Sequence, residues 1–398
     1  MDELYQYQEE ILEKISDNFF RSLYHELNWN SRFLGITGLR GVGKTTMLLQ
    51  FLKYDAPDRN KTLYVTADHP WFYDDSLLEL AQNFSRYGGT HLLIDEIHRY
   101  PNWSREIKNI YDGLPDLQVI FTASSMLNLL KGESDLSRRA LNKELTGLSF
   151  REYLELRYGH SFPAISIERL LENPEETADS VLKKLKPLPA FRDYLQSGYF
   201  PFSVTQQKES FRQLLNQVIN AVLEVDMQLV EDYSASNTIK VKKLLGVIAE
   251  SVPFEPNISK IAERLEMGRD TVKTYLNNLE RARMLNLLSR STKGVAALQK
   301  PDKIYLENTN LSYALKSNPQ AGTIRETLFV NQLRNAGNSV ELAKSGDFIV
   351  NRKLTFEVGG PSKDNKQIRE TDNAYLALDE LEHPYLNRIP LWLFGFLY

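Results

Sequence analysis

The sequence predicts an α/β fold: a doubly wound parallel sheet, then a largely helical stretch, then a second α/β region. Three observations predict it. An apolar run at 33–36 passes through a glycine-rich loop into a helix, the order of a strand–helix unit. Further apolar runs alternate with helical spacing up to about residue 125. Helical spacing then dominates until short apolar runs return near residue 303.

Composition sets limits on the partners of the protein. The chain has 398 residues, enough for two or three domains, and its net charge of −4 means that DNA contact needs a local basic patch. It has no cysteine, which excludes disulfides and thiolate metal sites. The amino terminus is charged and amphipathic, and no apolar run reaches about eighteen residues. We therefore expect a cytoplasmic protein without a membrane span.

The glycine-rich loop carries the clearest motif. Residues 38–45, GLRGVGKT, fit the phosphate-binding pattern G-x-x-x-x-G-K-[ST] at every position. Glycines let the backbone turn its N–H groups toward a phosphate at the positive end of the next helix. The lysine can reach the β- and γ-phosphates, and the last hydroxyl can bind Mg²⁺. The predicted nucleotide-binding residues are Gly38, Gly41, Val42, Gly43, Lys44, Thr45 and Thr46.

Two acids follow the apolar run at 91–94. Asp95 and Glu96 would lie at the carboxyl end of a buried strand, where open α/β sheets bind their ligands. Asp95 would hold Mg²⁺ together with Thr45, directly or through water, and Glu96 would activate the attacking water as a general base. A strand that ends in solvated acids is the alternative, but the spacing from the phosphate loop favours the catalytic interpretation.

A further buried strand over 117–123 ends in hydroxyls. Ser124 could contact a γ-phosphate, although Ser124 or Ser125 could equally cap the next helix. Arg138 and Arg139 come next, and a guanidinium there could stabilise transition-state charge in its own chain or across the interface of a homo-oligomer. Adjacent arginines are also common on solvated surfaces.

Residues 258–288 predict a helix–turn–helix. Helices over 258–265 and 269–279 flank a turn, and a strand with Gly294 indicates a β-wing. Residues 256–300 contain nine basic and four acidic side chains, so this segment could bind double-stranded DNA. A lid or a protein-docking module is the alternative. The side chains expected to face a DNA groove are Arg269, Lys273 and Asn277.

These motifs resemble bacterial and archaeal AAA-type P-loop ATPases that carry a winged helix and a C-terminal restriction-endonuclease-like domain of unknown function. The resemblance implies ATP as the nucleotide, Glu96 as the catalytic acid–base residue and Ser124 as the sensor. It aligns Arg139, rather than Arg138, with the family's arginine, although the family usually has glycine where this chain has Arg138. The segments that carry it are GLRGVGKTT (38–46), LLIDEIHRYPNW (92–103), FTASS (121–125), SRRALNKELTGLSFREYLEL (137–156) and SGYFPF (197–202).

The resemblance also divides the chain into four parts. We expect a P-loop NTPase core over 1–150, a helical lid with connecting helices over 151–250, a winged helix over 251–300 and a degenerate nuclease-like domain over 301–398. Mg²⁺-dependent ATP hydrolysis would then move the C-terminal half. A slow, ATP-gated switch that binds DNA or protein is the main alternative, and an ATP-regulated, metal-dependent nuclease is the other.

The C-terminal domain departs from active nucleases of that fold. Such enzymes place Asp and then Glu-x-Lys on a hairpin, where the acids hold a metal and the lysine assists water attack. Asp347 and Glu357 fit these positions and Glu326 could contribute from a helix, but Gly359 stands where the lysine belongs. Two lysines of the next loop could substitute for it: Lys363 and Lys366.

Overall fold

The computed structural model describes residues 1–123, 139–229, 235–251, 255–290 and 301–398. They form two compact units, one within Met1–Thr146 and the other made of most of the chain from Gly147 to Tyr398. The first unit ends just before the boundary expected at residue 150. Within the described ranges, every helix is too short or too polar to cross a lipid bilayer.

The first unit is built on a five-stranded parallel sheet, as predicted. The strand order is β2-β3-β4-β1-β5, so the chain passes from β1 to the edge strand β2, returns through β3 to β4 beside β1, and then adds β5 at the other edge. The strands at the middle of the sheet are buried along almost their whole length because helices cover both faces. The strands are β1 (Phe33–Thr37), β2 (Thr62–Thr66), β3 (His91–Asp95), β4 (Gln118–Ala123) and β5 (Leu141–Glu144).

The helices of this unit present apolar faces to the sheet. One of them begins with a capping box, in which the Ser76 hydroxyl accepts from the Glu79 N–H and the Glu79 carboxylate accepts from the Ser76 N–H. The core side chains of this helix and of the helix after β3 pack together against the sheet. The helices are α1 (Asp2–Leu12), α2 (Ser22–Glu26), α3 (Lys44–Gln50), α4 (Leu77–Arg86) and α5 (Trp103–Gly113).

Apolar residues at helical spacing over 4–28 predict a single helix, but the amino-terminal segment differs from that prediction. It contains α1 and α2, with an irregular stretch between them in which the Asn18 N–H donates to the Ser16 hydroxyl. Short polar side chains of this kind compete with helical hydrogen bonds, and this explains the break. The segment is nevertheless fixed to the sheet, because the Gln8 carboxamide accepts from the backbone N–H of Tyr64 on the edge strand β2 at 2.8 Å.

The second unit begins with helices and continues into a helix–turn–helix. Asn310 binds three backbone groups of the segment around Tyr194 and Tyr199, and this buried contact joins distant parts of the unit. The helices up to the helix–turn–helix are α6 (Phe150–Tyr158), α7 (Ile167–Glu172), α8 (Pro174–Leu182), α9 (Pro187–Asp193), α10 (Lys208–Glu224), α11 (Ala235–Ser251), α12 (Ile258–Arg264) and α13 (Arg269–Arg281).

A two-stranded antiparallel sheet follows the helix–turn–helix. It pairs β6 (Leu285–Leu288) with β7 (Lys303–Leu306), so strand pairing crosses the domain boundary expected at residue 300. The residues that would link the two strands, including Gly294, lie outside the described residues. Two helices come next, α14 (Thr309–Leu315) and α15 (Ala321–Asn335).

A mixed five-stranded sheet ends the chain. Its order is β12-β11-β10-β9-β8, with antiparallel pairing from β8 to β10 and parallel pairing from β10 to β12. The apolar run over 390–398 predicts a final strand, and this prediction is wrong, because Leu391–Phe396 forms a short, fully buried 3₁₀ helix. A continuous apolar run does not distinguish a buried strand from a buried helix. The strands are β8 (Val340–Leu342), β9 (Phe348–Val350), β10 (Leu354–Gly359), β11 (Ala374–Leu378) and β12 (Arg388–Pro390).

Candidate active site

The phosphate-binding loop leaves β1 at the carboxyl edge of the first sheet. Gly38, Gly41 and Gly43 all adopt positive φ, at 147°, 82° and 101°. A Cβ atom at Gly38 would lie 2.2 Å from the carbonyl oxygen of Leu145, so a side chain is excluded there by both conformation and contact. The loop therefore has the glycine-dependent path that its motif predicts.

Lys44 opens helix α3 and is buried. Its ammonium donates to the carbonyl oxygens of Gly38 and Leu39 at 2.9 and 3.1 Å, which holds it across the loop. The neighbouring Val42 is fully buried, whereas Thr46 is exposed in the first turn of α3. A cation and a helix amino end thus meet at one place, which suits a phosphate.

Asp95 lies at the end of β3 and is buried among hydroxyl groups. The Thr45 hydroxyl donates to its Oδ2 at 2.7 Å, the Tyr64 hydroxyl donates to the same oxygen at 3.1 Å, and the Thr122 hydroxyl donates to its Oδ1. Burial raises the pKa of Asp95, and the hydrogen bonds from Thr122 and Thr45 partly offset that rise. A hydroxyl and a carboxylate at this distance form the oxygen-donor set that Mg²⁺ prefers.

Glu96 has an unusual backbone conformation. Its φ of 52° lies in the left-handed region, and its N–H donates to the Thr122 hydroxyl at 2.9 Å. Thr122 therefore orients both acids, since it accepts from one residue and donates to the other. Sequence reasoning missed Thr122 and selected Ser124 instead. Ile94 of β3 pairs with Phe121 of β4, so the next residues along these parallel strands, Asp95 and Thr122, come side by side. An alignment of the two strands in this register could therefore have identified Thr122.

Two arginines and a histidine surround the Glu96 carboxylate. The side chains of Arg40, His98 and Arg99 each approach its Oε2 to 3.5 Å, while that oxygen has no hydrogen-bond partner in the described part of the chain. Arg99 also binds Asp68 at 2.8 Å. The carboxylate is thus oriented by charge rather than by direct hydrogen bonds. Neither Arg40, which occupies a variable position of the motif, nor the other two was singled out from the sequence.

Arg139 lies away from this site. Strand β5 begins at Leu141, beside Leu34 at the start of β1, so Arg139 precedes the amino edge of the sheet, opposite the phosphate loop. Its guanidinium binds Asp112 at the end of α5, at 3.3 Å. The structure does not bring Arg139 to the loop of its own chain. Ser124, Ser125 and Arg138 lie outside the described residues.

A buried arginine of the amino-terminal segment supports the loop from below. Arg21 donates to the carbonyl oxygens of Val42 and Thr146 at 2.7 and 2.9 Å. No motif identified Arg21, because its partners are backbone atoms far away in the sequence.

The three acids expected in a degenerate nuclease site lie in the second unit, with Glu326 on α15, Asp347 before β9 and Glu357 within β10.

Comparison with known families gives two matches. Residues 30–154 match a family described as an AAA domain, and this range contains the loop and the acids of the site. Residues 188–321 match a domain of unknown function (DUF8612), which assigns neither a fold nor an activity to that segment. The AAA match implies nucleotide binding by the first unit.

Individual relatives are distant. An uncharacterized protein of Methanocaldococcus jannaschii is 28% identical over 260 residues, which are 62% of this chain and 54% of that protein. This chain therefore spans about half the length of the curated relative it matches. A Walker-type ATPase of Pyrococcus abyssi has a TM-score of 0.41 at 14% identity, covering 75% of this chain and 95% of its own. AMPPCP-bound DnaA from Aquifex aeolicus has a TM-score of 0.27 at 16% identity, covering 70% and 88%.

The family match and the geometry agree for the first unit. The parallel strand order, the glycine conformations and the acids at the end of β3 occur in the range that matches the AAA domain. Together they support a P-loop AAA-type ATPase domain in the first unit of this chain.

Proposed function

We propose that the first unit binds ATP with Mg²⁺ and hydrolyses its terminal phosphoryl group. The observation that carries this proposal is a continuous set of hydrogen bonds from Thr45 through Asp95 and Thr122 to the backbone of Glu96. It ties the phosphate loop to both acids. Such a connection has little structural purpose in a glycine turn that binds nothing.

The residues fit the cation and the phosphates. Thr45 and Asp95 offer oxygen donors beside the loop, and bound Mg²⁺ would neutralise charge on the phosphate oxygens. Lys44 would exchange the carbonyl groups of Gly38 and Leu39 for phosphate oxygens. Glu96 would accept a proton from the water that attacks phosphorus, in the position held by Thr122.

Steady-state ATP hydrolysis tests this proposal, with and without double-stranded DNA. Wild type should turn over ATP, whereas Lys44→Ala and Glu96→Gln should each lose at least about 10²-fold in rate. Glu10→Gln, at an exposed glutamate of α1, is the matched control and should retain the wild-type rate. Full activity of Glu96→Gln would remove its assigned role, and absence of hydrolysis in wild type would refute the activity.

A slow, ATP-gated switch is the second candidate, and the side chains around Glu96 favour it. Arg40, His98 and Arg99 all approach the carboxylate, so it has to leave these partners before it can accept a proton from the attacking water. Release of one partner should then raise turnover. Arg40→Ala tests this against Arg59→Ala, an exposed arginine paired with Glu9. Slower hydrolysis in Arg40→Ala would instead make Arg40 part of the catalytic site.

The roles of the second unit are also proposals. We assign the helices after residue 150 to a lid, the helix–turn–helix with β6 and β7 to a winged helix, and the terminal mixed sheet to a nuclease-like fold. Hydrolysis would move these parts, and identical solution-scattering profiles without nucleotide and with ATP would contradict that coupling.

A transition-state role for Arg139 needs a second subunit, so light scattering of the ATP-bound protein should then give more than a monomer mass.

Contact with double-stranded DNA would use α13. Arg269 and Asn277 are exposed on this helix, whereas Lys273 lies 3.2 Å from Asp270 and is less available. Binding of a labelled duplex should weaken steeply as salt rises, and Arg269→Ala should weaken it further. Equal anisotropy titrations for wild type and Arg269→Ala would exclude this helix as the contact.

A further inference from the structure

Three hydroxyl groups from three different elements meet at the Asp95 carboxylate. Thr45 belongs to α3 and Thr122 to β4, whereas Tyr64 lies on the edge strand β2. Thr45 and Tyr64 both donate to Oδ2 of Asp95, at 2.7 and 3.1 Å. Thr122 donates to Oδ1. The phosphate-loop motif accounts for Thr45, but it gives no reason for a tyrosine hydroxyl at the same oxygen.

The register of the sheet explains how Tyr64 reaches this carboxylate. Tyr64 pairs with Leu93, which lies two residues before Asp95 on β3, so the three side chains leave the same face of the sheet. A tyrosine side chain is long enough to reach such a diagonal neighbour. The backbone of Tyr64 is also fixed, because the Gln8 carboxamide of α1 accepts from its N–H at 2.8 Å.

The Tyr64 hydroxyl acts as a hydrogen-bond donor here. A phenol keeps its proton at neutral pH, and burial, followed by the charge of Asp95, raises the pKa of Tyr64 above its ordinary value. An ionised carboxylate offers only acceptors. Tyr64 is 2% exposed and Asp95 is 3% exposed, so bulk water has little access to replace this donor. The hydrogen bond is therefore a built-in feature of the site.

A count of acceptor positions shows what the tyrosine changes. The two oxygens of an ionised carboxylate offer about four lone-pair positions in all, about two on each oxygen. Thr45 and Tyr64 occupy both positions on Oδ2 of Asp95, and Thr122 occupies one position on Oδ1. The only remaining position is on Oδ1. Without the Tyr64 hydroxyl, each of the two oxygens would keep one position for a cation.

Mg²⁺ and Ca²⁺ make different demands on a carboxylate of this kind. Ca²⁺ takes about six to eight oxygen ligands and often binds both oxygens of one carboxylate. Mg²⁺ is octahedral and usually keeps several of its water molecules. A carboxylate with one remaining acceptor position cannot offer both oxygens to a cation. It can offer one oxygen, or it can accept from a water molecule on the cation, and both of these modes suit Mg²⁺.

We propose that Tyr64 is a specificity-determining residue, which occupies Oδ2 of Asp95 and thereby makes the site prefer Mg²⁺ to Ca²⁺. This inference rests on the proposed function, because it concerns the cation that accompanies ATP at that site. Tyr64 acts through Asp95, so it is a positioning residue and not a metal ligand. Thr122 also contacts the backbone of Glu96, and a change at Tyr64 therefore tests the cation preference more directly.

Binding of AMPPCP, an ATP analogue with a methylene group between the β- and γ-phosphorus atoms, tests this inference without hydrolysis. Calorimetry with the full chain gives the dissociation constants of the Mg²⁺ and Ca²⁺ complexes of the analogue. Wild type should bind the Mg²⁺ complex more tightly. Tyr64→Phe keeps the ring and frees one position on Oδ2. Its ratio of Ca²⁺-complex to Mg²⁺-complex affinity should rise about tenfold, the lower end of the usual effect of a group that orients a metal ligand.

Tyr24→Phe is the matched control. Tyr24 is also buried in the first unit, and its hydroxyl also donates to an aspartate, Asp55. Asp55 follows the end of α3, whereas the phosphate loop precedes the start of that helix. Tyr24→Phe should therefore bind both complexes as wild type does. The control separates a change in cation preference from the general loss of a hydrogen bond between a buried tyrosine and an aspartate.

The outcomes distinguish this inference from the proposed function. If wild type binds neither complex, the proposed function fails and the inference fails with it. If wild type binds the Mg²⁺ complex and Tyr64→Phe keeps the wild-type affinity ratio, the inference is overturned while nucleotide binding stands. Equal affinities of wild type for the two complexes would also overturn it. So would equal changes of the ratio in Tyr64→Phe and Tyr24→Phe, because the effect would then be structural.

Discussion

The two units use buried polar side chains in different ways. In the first unit, Lys44, Asp95 and Thr122 gather at the carboxyl edge of one sheet and bind mainly to one another and to the loop. In the second unit, the buried amides of Asn310 and Asn331 bind backbone groups from distant segments. One arrangement concentrates polarity where a ligand can reach it, and the other spreads it between packed elements.

This difference indicates which buried polar groups can take part in ligand binding and catalysis and which ones stabilise the fold. A side chain that satisfies another side chain can exchange its partner for a ligand at small cost. A side chain that satisfies backbone groups between packed elements cannot, because no ligand reaches that place and the backbone groups would lose their partner. Loss of a group should therefore affect activity in the first unit and stability in the second.

The largest effect is expected at Lys44. Lys44→Ala removes the cation that would bind the phosphates, so ATP hydrolysis should fall about 10³-fold. ATP should also cease to raise the melting temperature, because binding to the folded state is lost. Lys61→Ala, at an exposed lysine 3.7 Å from Asp58, should change neither measurement. If ATP still stabilised the Lys44→Ala protein, the assignment of Lys44 to phosphate binding would be wrong.

A smaller effect, and one on stability, is expected at Asn310. Its amide donates to the carbonyl oxygens of Tyr194 and Leu195, and its oxygen accepts from the Tyr199 N–H at 2.8 Å. Asn310→Ala leaves these buried groups without partners and should cost about 2–3 kcal/mol in the free energy of unfolding. Urea denaturation measures this, with the exposed Asn220→Ala as control. Reduced ATPase rate per folded molecule, with unchanged stability, would contradict it.

Thr122 offers a finer test of this difference, because it lies in a strand and its hydroxyl nevertheless forms hydrogen bonds with both acidic residues of the site. Thr122→Val keeps the shape and removes the hydroxyl that binds both Asp95 and the Glu96 N–H. The turnover number should fall about tenfold to a hundredfold, the usual range for a group that orients a metal ligand. Thr122→Ser retains the hydroxyl and should keep most of the rate. Equal rates for Val and Ser at this position would show that the hydroxyl is not needed.

The sequence was most informative where chemistry lies in a continuous segment. The loop 38–45 and the pair Asp95 and Glu96 are short motifs with buried strands beside them, so both type and place could be predicted. The doubly wound sheet followed from the same strands, since helices alternate with apolar runs. Local motifs of this kind need no knowledge of distant contacts.

Groups that act through distant contacts could not be predicted. Thr122 and Arg21 each find their partners only after the chain has folded, and nothing at their own positions distinguishes them. The sequence offered both Lys363 and Lys366 in place of the lysine missing at Gly359, and only the folded chain distinguishes them, because Lys363 reaches Glu357 whereas Lys366 binds Asp364. The terminal 3₁₀ helix was missed because a uniform apolar run has no period.

The smallest effect is expected at His91, which tests whether every buried polar group of the first unit serves the site. His91 is buried at the start of β3, at the edge opposite the phosphate loop, and burial lowers its pKa below the ordinary 6.5. The unfolded chain therefore binds a proton more readily than the folded one, so stability is complete above pH 6.5 and declines as the pH falls toward the folded-state pKa. His91→Gln should lose less stability than wild type between about pH 7.5 and 5.5. Tryptophan fluorescence during urea denaturation reports it well, because Trp29, Trp71 and Trp103 lie in the first unit and Trp392 alone lies in the second. Parallel pH dependences for wild type and His91→Gln would mean that this imidazole remains as accessible to protons in the folded protein as in the unfolded chain.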